Sequence, residues 1–174
     1  MTTYTVILDA CVMYPAPLRS YLLYLTQTGL YRAKWTEQIH DEWTRNLLKK
    51  QPYISEEKLQ RTRELMNRHV PDCVVEGYEP FIAGIELPDQ DDRHVVAAAI
   101  KGQAEGIVTF NLKDFPDDKL APLGLSAIHP DVFLSDMFEL DPSRALLAAQ
   151  RQRRSLKNPP MSVDEYLNSL QKQK

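Results

Sequence analysis

The chain has no apolar run approaching the roughly 20 residues that cross a bilayer. Its first residues also lack the basic, apolar and small-residue zones of a signal peptide. Both absences predict a protein that stays in the cytoplasm, without a membrane. Cysteine is scarce: Cys11 and Cys73 lie far apart and neither has a CxxC neighbour, which excludes a disulfide framework or a zinc ribbon. The four histidines form no HxxxH pair, so a zinc hydrolase of that type is excluded as well. Basic excess is missing too, because the net charge is −3, against the broad positive surface of a sequence-independent nucleic-acid binder. No internal repeat or low-complexity tract is visible.

What remains is an ordinary globular composition, 43% hydrophobic and 26% charged over 174 residues, enough for one core with a helical appendage. Charge is unevenly placed. The segment after Asp141 carries Arg144, Arg151, Arg153, Arg154, Lys157, Lys172 and Lys174, whereas acids gather in the body.

Tyr4 to Leu8 is a short β-branched and apolar run that ends at Asp9, which puts an acid at a strand's C-terminal end. Leu18, Tyr21, Leu22 and Leu25 recur at helical spacing up to Gly29, and Tyr31 to Trp35 reads as a second strand. Thr36 caps a helix from Glu37 to about Lys50, with Glu42 at the edge of its apolar side of Ile39, Trp43 and Leu47. Another helix follows Ser55 with Leu59, Leu65 and Met66 as core positions, and Cys73 to Val75 is a candidate strand. A helix from the Asp89–Asp92 cluster to Gly102 and a strand from Gly106 to Phe110 complete the alternation.

Alternating strands and helices predict a three-layer α/β/α sandwich with a mainly parallel sheet, whose ligands bind beyond the C-terminal ends of the strands. From about Pro130 the pattern turns to consecutive helices, broken at Asp141-Pro142 and at Asn158-Pro159-Pro160. The division expected is a catalytic domain over residues 1–130 and a helical extension over 131–174. Leu146, Leu147, Tyr166, Leu167 and Leu170 in the extension need a surface to cover, either on its own domain or against a second subunit. Arg151, Arg153 and Arg154 are placed to attract phosphate.

Hydrolysis of a phosphodiester brings water to an anionic phosphorus, and a hard divalent cation held by carboxylates assists by neutralising charge. Taken singly, Asp9 ends a strand, Glu42 is a solvated helix residue, Asp92 is an N-cap and Asp114 is a turn acid. A haloacid-dehalogenase phosphatase needs a second Asp two places after the first, where this chain has Cys11. A receiver domain needs adjacent acids before its first strand and a later Lys, and that pattern is not found.

Taken in order, Ile7-Leu8-Asp9-Ala10, Trp35-Thr36 with Glu42, Asp92-Arg93-His94-Val95-Val96 and Val108-Thr109-Phe110-Asn111-Leu112-Lys113-Asp114 resemble the PIN domain, in particular the VapC-type toxins of bacterial toxin–antitoxin pairs. The resemblance spans Val6 to about His129. It implies that Asp9, Glu42, Asp92 and Asp114 form an acidic catalytic and metal site, with Thr109 and Asn111 as supporting polar residues. It also implies a Mg2+ or Mn2+ ribonuclease that leaves a 5′-phosphate through metal-activated water.

The chain has Asn111 where some PIN nucleases carry Asp, and it supplies its acid at Asp114 as VapC-type sequences do. Within the Asp89–Asp92 cluster, Asp92 has the family's offset to Val95 and Ala99, and Asp91 is the alternative. Arg19, Arg93, His94 and Lys113 are candidates to contact RNA. By the same resemblance, homodimers are common and a cognate antitoxin holds the toxin inactive. The rival reading is a catalytically silent PIN-like module that binds RNA or protein.

Overall fold

The computed structural model describes residues 3–156 and Glu165. Its first strand, β1 (Thr5–Leu8), is buried along its whole length, as a β-branched run between two helical layers must be. Asp9 then caps the short α1 (Ala10–Met13). Pro15 and Pro17 open α2 (Ala16–Gln27), where Pro17 sits in the first turn and needs no intrahelical partner. Gly29, at φ +82°, turns the chain into β2 (Arg32–Lys34).

Helix α3 (Glu37–Lys50) begins as its sequence predicts, with the Thr36 hydroxyl accepting the Ile39 N–H at 3.0 Å. Thr36 is fully buried. Replacing it with alanine should cost about 1 kcal/mol, a fall of roughly 2–4 °C in Tm for a domain of this size. Thr36→Ser should recover most of that loss in a thermal melt.

Helix α4 (Glu56–His69) is capped by Ser55 and buries Leu59 and Met66, but Leu65 is 42% exposed because the helix packs on a narrower stripe than its apolar residues suggest. The candidate strand at Cys73 to Val75 shrinks to one parallel bridge between Val74 and Trp35. A single 3-10 turn at Gln90–Asp92 leads into α5 (Arg93–Lys101), whose residues His94 to Ala99 are all buried. The chain continues through β3 (Gly106–Val108), α6 (Asp117–Leu120), β4 (Ser126–Ile128), α7 (Pro130–Leu140) and α8 (Pro142–Ser155).

All four strands are parallel, in the order β2-β1-β3-β4. The chain moves one way from β1 to β2 and then back across β1 to reach β3. Right-handed crossovers in opposite directions place the intervening helices on opposite faces, giving the three layers expected of an α/β/α sandwich. Loops diverge to opposite sides where β1 lies beside β3, and that is where a crevice opens.

Helix α8 lies against α2. Tyr21 donates its hydroxyl to the Ala145 carbonyl at 3.0 Å, and the Gln152 amide donates to the Pro17 carbonyl at 2.8 Å. The buried stripe of α8 is Ala145, Ala148 and Gln152, whereas Leu146 and Leu147 are 57% and 37% exposed. Small side chains set this contact, so of the two surfaces expected for Leu146 and Leu147 their own domain is not the one they cover. Tyr166, Leu167 and Leu170 lie outside the described residues, as do Lys157, Lys172 and Lys174. Among the described residues no helix is long and apolar enough to cross a membrane.

Candidate metal centre

Pairing of Leu8 with Val108 sets the register that brings the ends of β1 and β3 together. The next residues continue the ladder: the Asp9 N–H donates to the Val108 carbonyl at 3.1 Å, and the Thr109 N–H donates to the Ile128 carbonyl at 3.0 Å. Asp9 and Thr109 therefore face one another at the floor of the crevice. The Thr109 hydroxyl donates to Asp9 Oδ2 at 2.8 Å and accepts the Asn111 N–H at 3.0 Å. The Ala10 N–H donates to Asp9 Oδ1 at 2.8 Å. Both carboxylate oxygens are thus fixed in direction, in a residue only 6% exposed.

Cys11 completes this floor and was not singled out from sequence. Its Sγ lies 3.3 Å from Thr109 Oγ1 and accepts the Phe110 N–H at 3.3 Å. Burial, with Asp9 adding to it, pushes the thiol up to about 12, so it stays protonated and unreactive. Only its place two residues after Asp9 hinted at a part in the site.

The remaining acids come from three other elements. Asp92 occupies the N-cap position of α5 but makes no side-chain cap bond, so its carboxylate is not spent on the helix. Asp114 ends the 3-10 turn Leu112–Asp114. Glu42 comes from α3. Burial pushes Asp92 up to about 7, and the charges of Asp9, Asp89, Asp114 and Glu42 push in the same direction. Burial also raises Asp9, with a smaller push from Glu42, against hydrogen bonds from Thr109, Ala10 and Cys11 that lower it.

The four acids named from sequence therefore share one electrostatic neighbourhood, which Asp89 joins. Asp91 is exposed, and Asp89 accepts its N–H at 2.9 Å. Among the described residues, no ion pair compensates Asp9, Asp92 or Asp114.

Like charges gathered without a counter-ion call for a cation. The donors are all hard oxygens, which suit magnesium or manganese better than a softer metal. Among the described residues, however, no three His, Cys, Asp or Glu side chains already form a close ligand cage. Magnesium does not require one, because it binds through one or two carboxylates and keeps several waters. On the chemistry of its donors, the site fits such an ion.

The residues considered for RNA contact divide into two groups. Lys113 is exposed beside Asp114, and Arg93 is half-buried, with Nε donating to the Gln90 carbonyl at 3.1 Å. Arg19 is turned inward. It donates to the Met13 carbonyl at 2.7 Å and the Tyr14 carbonyl at 3.3 Å, and its guanidinium lies 4.4 Å from the centre of the Trp43 ring. Burial lowers it to about 10, and these contacts commit it to packing. His94 is 3% exposed, too deep to meet a phosphate in solution; its Nε2 lies 2.6 Å from Glu42 Oε1. Asn111 is exposed, and its backbone rather than its side chain supports Thr109. A cavity of about 640 Å³ between α2, α4 and α8 has no acid in its lining. The carboxylate chemistry lies elsewhere.

The family model described as PIN domain matches residues 5–113, and that described as VapC50 C-terminal domain matches residues 130–174. The chain is similar to "Putative ribonuclease VapC50" of Mycobacterium tuberculosis, with 39% identity over 99 residues. That match covers 56% of this chain and 57% of the relative, so it spans little more than half the relative's length. No solved structure matches.

Proposed function

The chain belongs to the PIN-domain family, and on that premise we propose that it is a metal-dependent endoribonuclease acting as the toxin of a toxin–antitoxin pair. The observation that carries this reading is the group of carboxylates at the β1/β3 crevice, of which Asp9, Asp92 and Asp114 have no ion-pair partner among the described residues. Its charges act together on Asp92, and Thr109 and Ala10 hold Asp9 by both oxygens. A ribonuclease name on the M. tuberculosis relative supports the substrate class.

Asp9, Asp92, Asp114 and Glu42 would hold a magnesium or manganese ion. When bound, such an ion neutralises phosphate charge and lowers the pKa of a coordinated water. Thr109 spends its proton on Asp9, which keeps that carboxylate aimed and ionisable in spite of its burial. Lys113, exposed beside Asp114, is placed to pair with a phosphate of the RNA strand. Arg151 and Arg154 are exposed on α8 and add attraction at longer range. No covalent intermediate is needed, because neither the buried Thr109 nor the protonated Cys11 thiol serves as a nucleophile. A cognate antitoxin protein would hold the enzyme inactive in the cytoplasm, and the chain would act as a homodimer.

The test is to sequence RNA ends after brief expression, beside the purified chain acting on the same RNA with magnesium, manganese or EDTA. Discrete new 5′-phosphate ends that match in cells and in vitro, and vanish with EDTA, are the expected outcome. Ends that persist in EDTA, or no new ends under either condition, would overturn the proposal.

A further inference from the structure

The structure assigns His94 a positioning role: its buried imidazole anchors Glu42 from beneath, so that the carboxylate is held toward the crevice. This inference rests on the reading of Glu42 as part of the metal site. Val95 to Ala99 follow His94 along α5 and are all fully buried and apolar. An apolar side chain would suit position 94 equally well on packing grounds, and a polar one there requires a reason.

Glu42 Oε1, 2.6 Å from Nε2, is the group that the imidazole meets. The contact is at ion-pair distance but outside hydrogen-bond angles, and among the described residues Nδ1 has no hydrogen-bond partner. Glu42 is thus the one ion-pair partner the ring has among the described residues, and it is a site carboxylate.

Glu42 needs such an anchor. It projects from the edge of α3 with its side chain 27% exposed, and its charge opposes those of Asp9 and Asp92. A flexible side chain repelled by its neighbours turns outward into water unless something holds it. His94 meets Oε1 and leaves Oε2 uncommitted, and it ties α3, which carries Glu42, to α5, which follows Asp92. Groups that orient metal-binding side chains in this way typically change metal affinity about 10–100-fold when removed.

The experiment measures Mn2+ binding by calorimetry in the full chain and its His94→Leu, His94→Gln, Glu42→Gln and Asp9→Asn variants, with a metal-free melt of each. His94→Leu should weaken Mn2+ binding about 10–100-fold while the metal-free Tm holds or rises. His94→Gln, whose amide can still reach Glu42, should recover part of the affinity. In a double-mutant cycle, His94→Leu should add nothing to Glu42→Gln. If His94→Leu does not fold, the Gln variant and its cycle with Glu42→Gln decide the matter.

Wild-type affinity in His94→Leu, or full additivity with Glu42→Gln, would overturn this inference while a loss of binding in Asp9→Asn kept the metal site intact. Absence of Mn2+ binding by the wild type would overturn both.

Discussion

Asp9→Asn should abolish RNA cleavage, with a loss on the order of 10³-fold or more, and leave the chain folded. Metal assistance is worth several kcal/mol of transition-state stabilisation, and each 1.36 kcal/mol is tenfold in rate. Asparagine keeps the shape: its amide oxygen can still accept from the Ala10 N–H, and its NH2 can donate to the Thr109 hydroxyl, so both contacts at 2.8 Å can be kept with the second one reversed. It removes a charge from a buried position that burial already disfavours. Folding and activity should therefore separate. Initial rates of cleavage with limiting metal, set beside a thermal melt, check this; a wild-type rate in the variant would remove Asp9 from the chemistry.

Acid and metal should each relieve the crowded carboxylates and stabilise the fold, and they compete for the same oxygens. Asp92 is pushed up by burial, then by Asp9, Asp89, Asp114 and Glu42, to about 7 from an ordinary 3.8. The folded state thus binds this proton more tightly than the unfolded one. The stability that Asp92 contributes is complete below about 3.8 and is lost as pH rises through about 7. Other groups titrate in the same range. His40, lowered by burial, pulls the other way as pH falls through its ordinary 6.5. Burial pushes Glu37 up, but hydrogen bonds from Arg63 and Asn67 bring it below 4.5, so it acts only in stronger acid.

Comparison of wild type with Asp92→Asn isolates the Asp92 contribution. Without metal, the variant should melt about 2–4 °C higher at pH 8, for roughly 1 kcal/mol after allowance for solvent screening. At pH 5 the gap should be less than half as large. Saturating magnesium or manganese should reverse the order at pH 8, because a ligand at 100-fold over its Kd stabilises the wild type by about 2.7 kcal/mol. That gain should fade as acid competes for the carboxylates. A melting curve indifferent to both ions would count against the site.

Much of the frame is legible in the chain because its signals are local. Thr36 and Ser55 precede their helices by a cap's spacing, and both accept the expected N–H. Val6 to Leu8 read as a buried strand because they are one. Trp43, placed on the apolar side of its helix, is fully buried. β4 has no such signature: Ser126–Ile128 is three residues long and becomes a strand only through pairing with β3.

Helix α5 hides its geometry for another reason. Six consecutive buried residues leave no polar face from which to judge where His94 points. The inward turn of Arg19 depends on Trp43, more than twenty positions away, and no local spacing reports it. Likewise, the order of the acids shows which residues reach the sheet's C-terminal end. That Cys11 lines the floor and Asp89 adds its charge follows from strand register and helix entry.

The most direct test of the central claim is Mn2+ binding at pH 8 to folded wild-type protein and to folded Asp9→Asn, followed by electron paramagnetic resonance of the free ion. The account predicts that the wild type depletes the free-ion signal and that the variant leaves it nearly unchanged. Equal depletion by both proteins, or none by the wild type, would contradict a divalent-cation site built on Asp9.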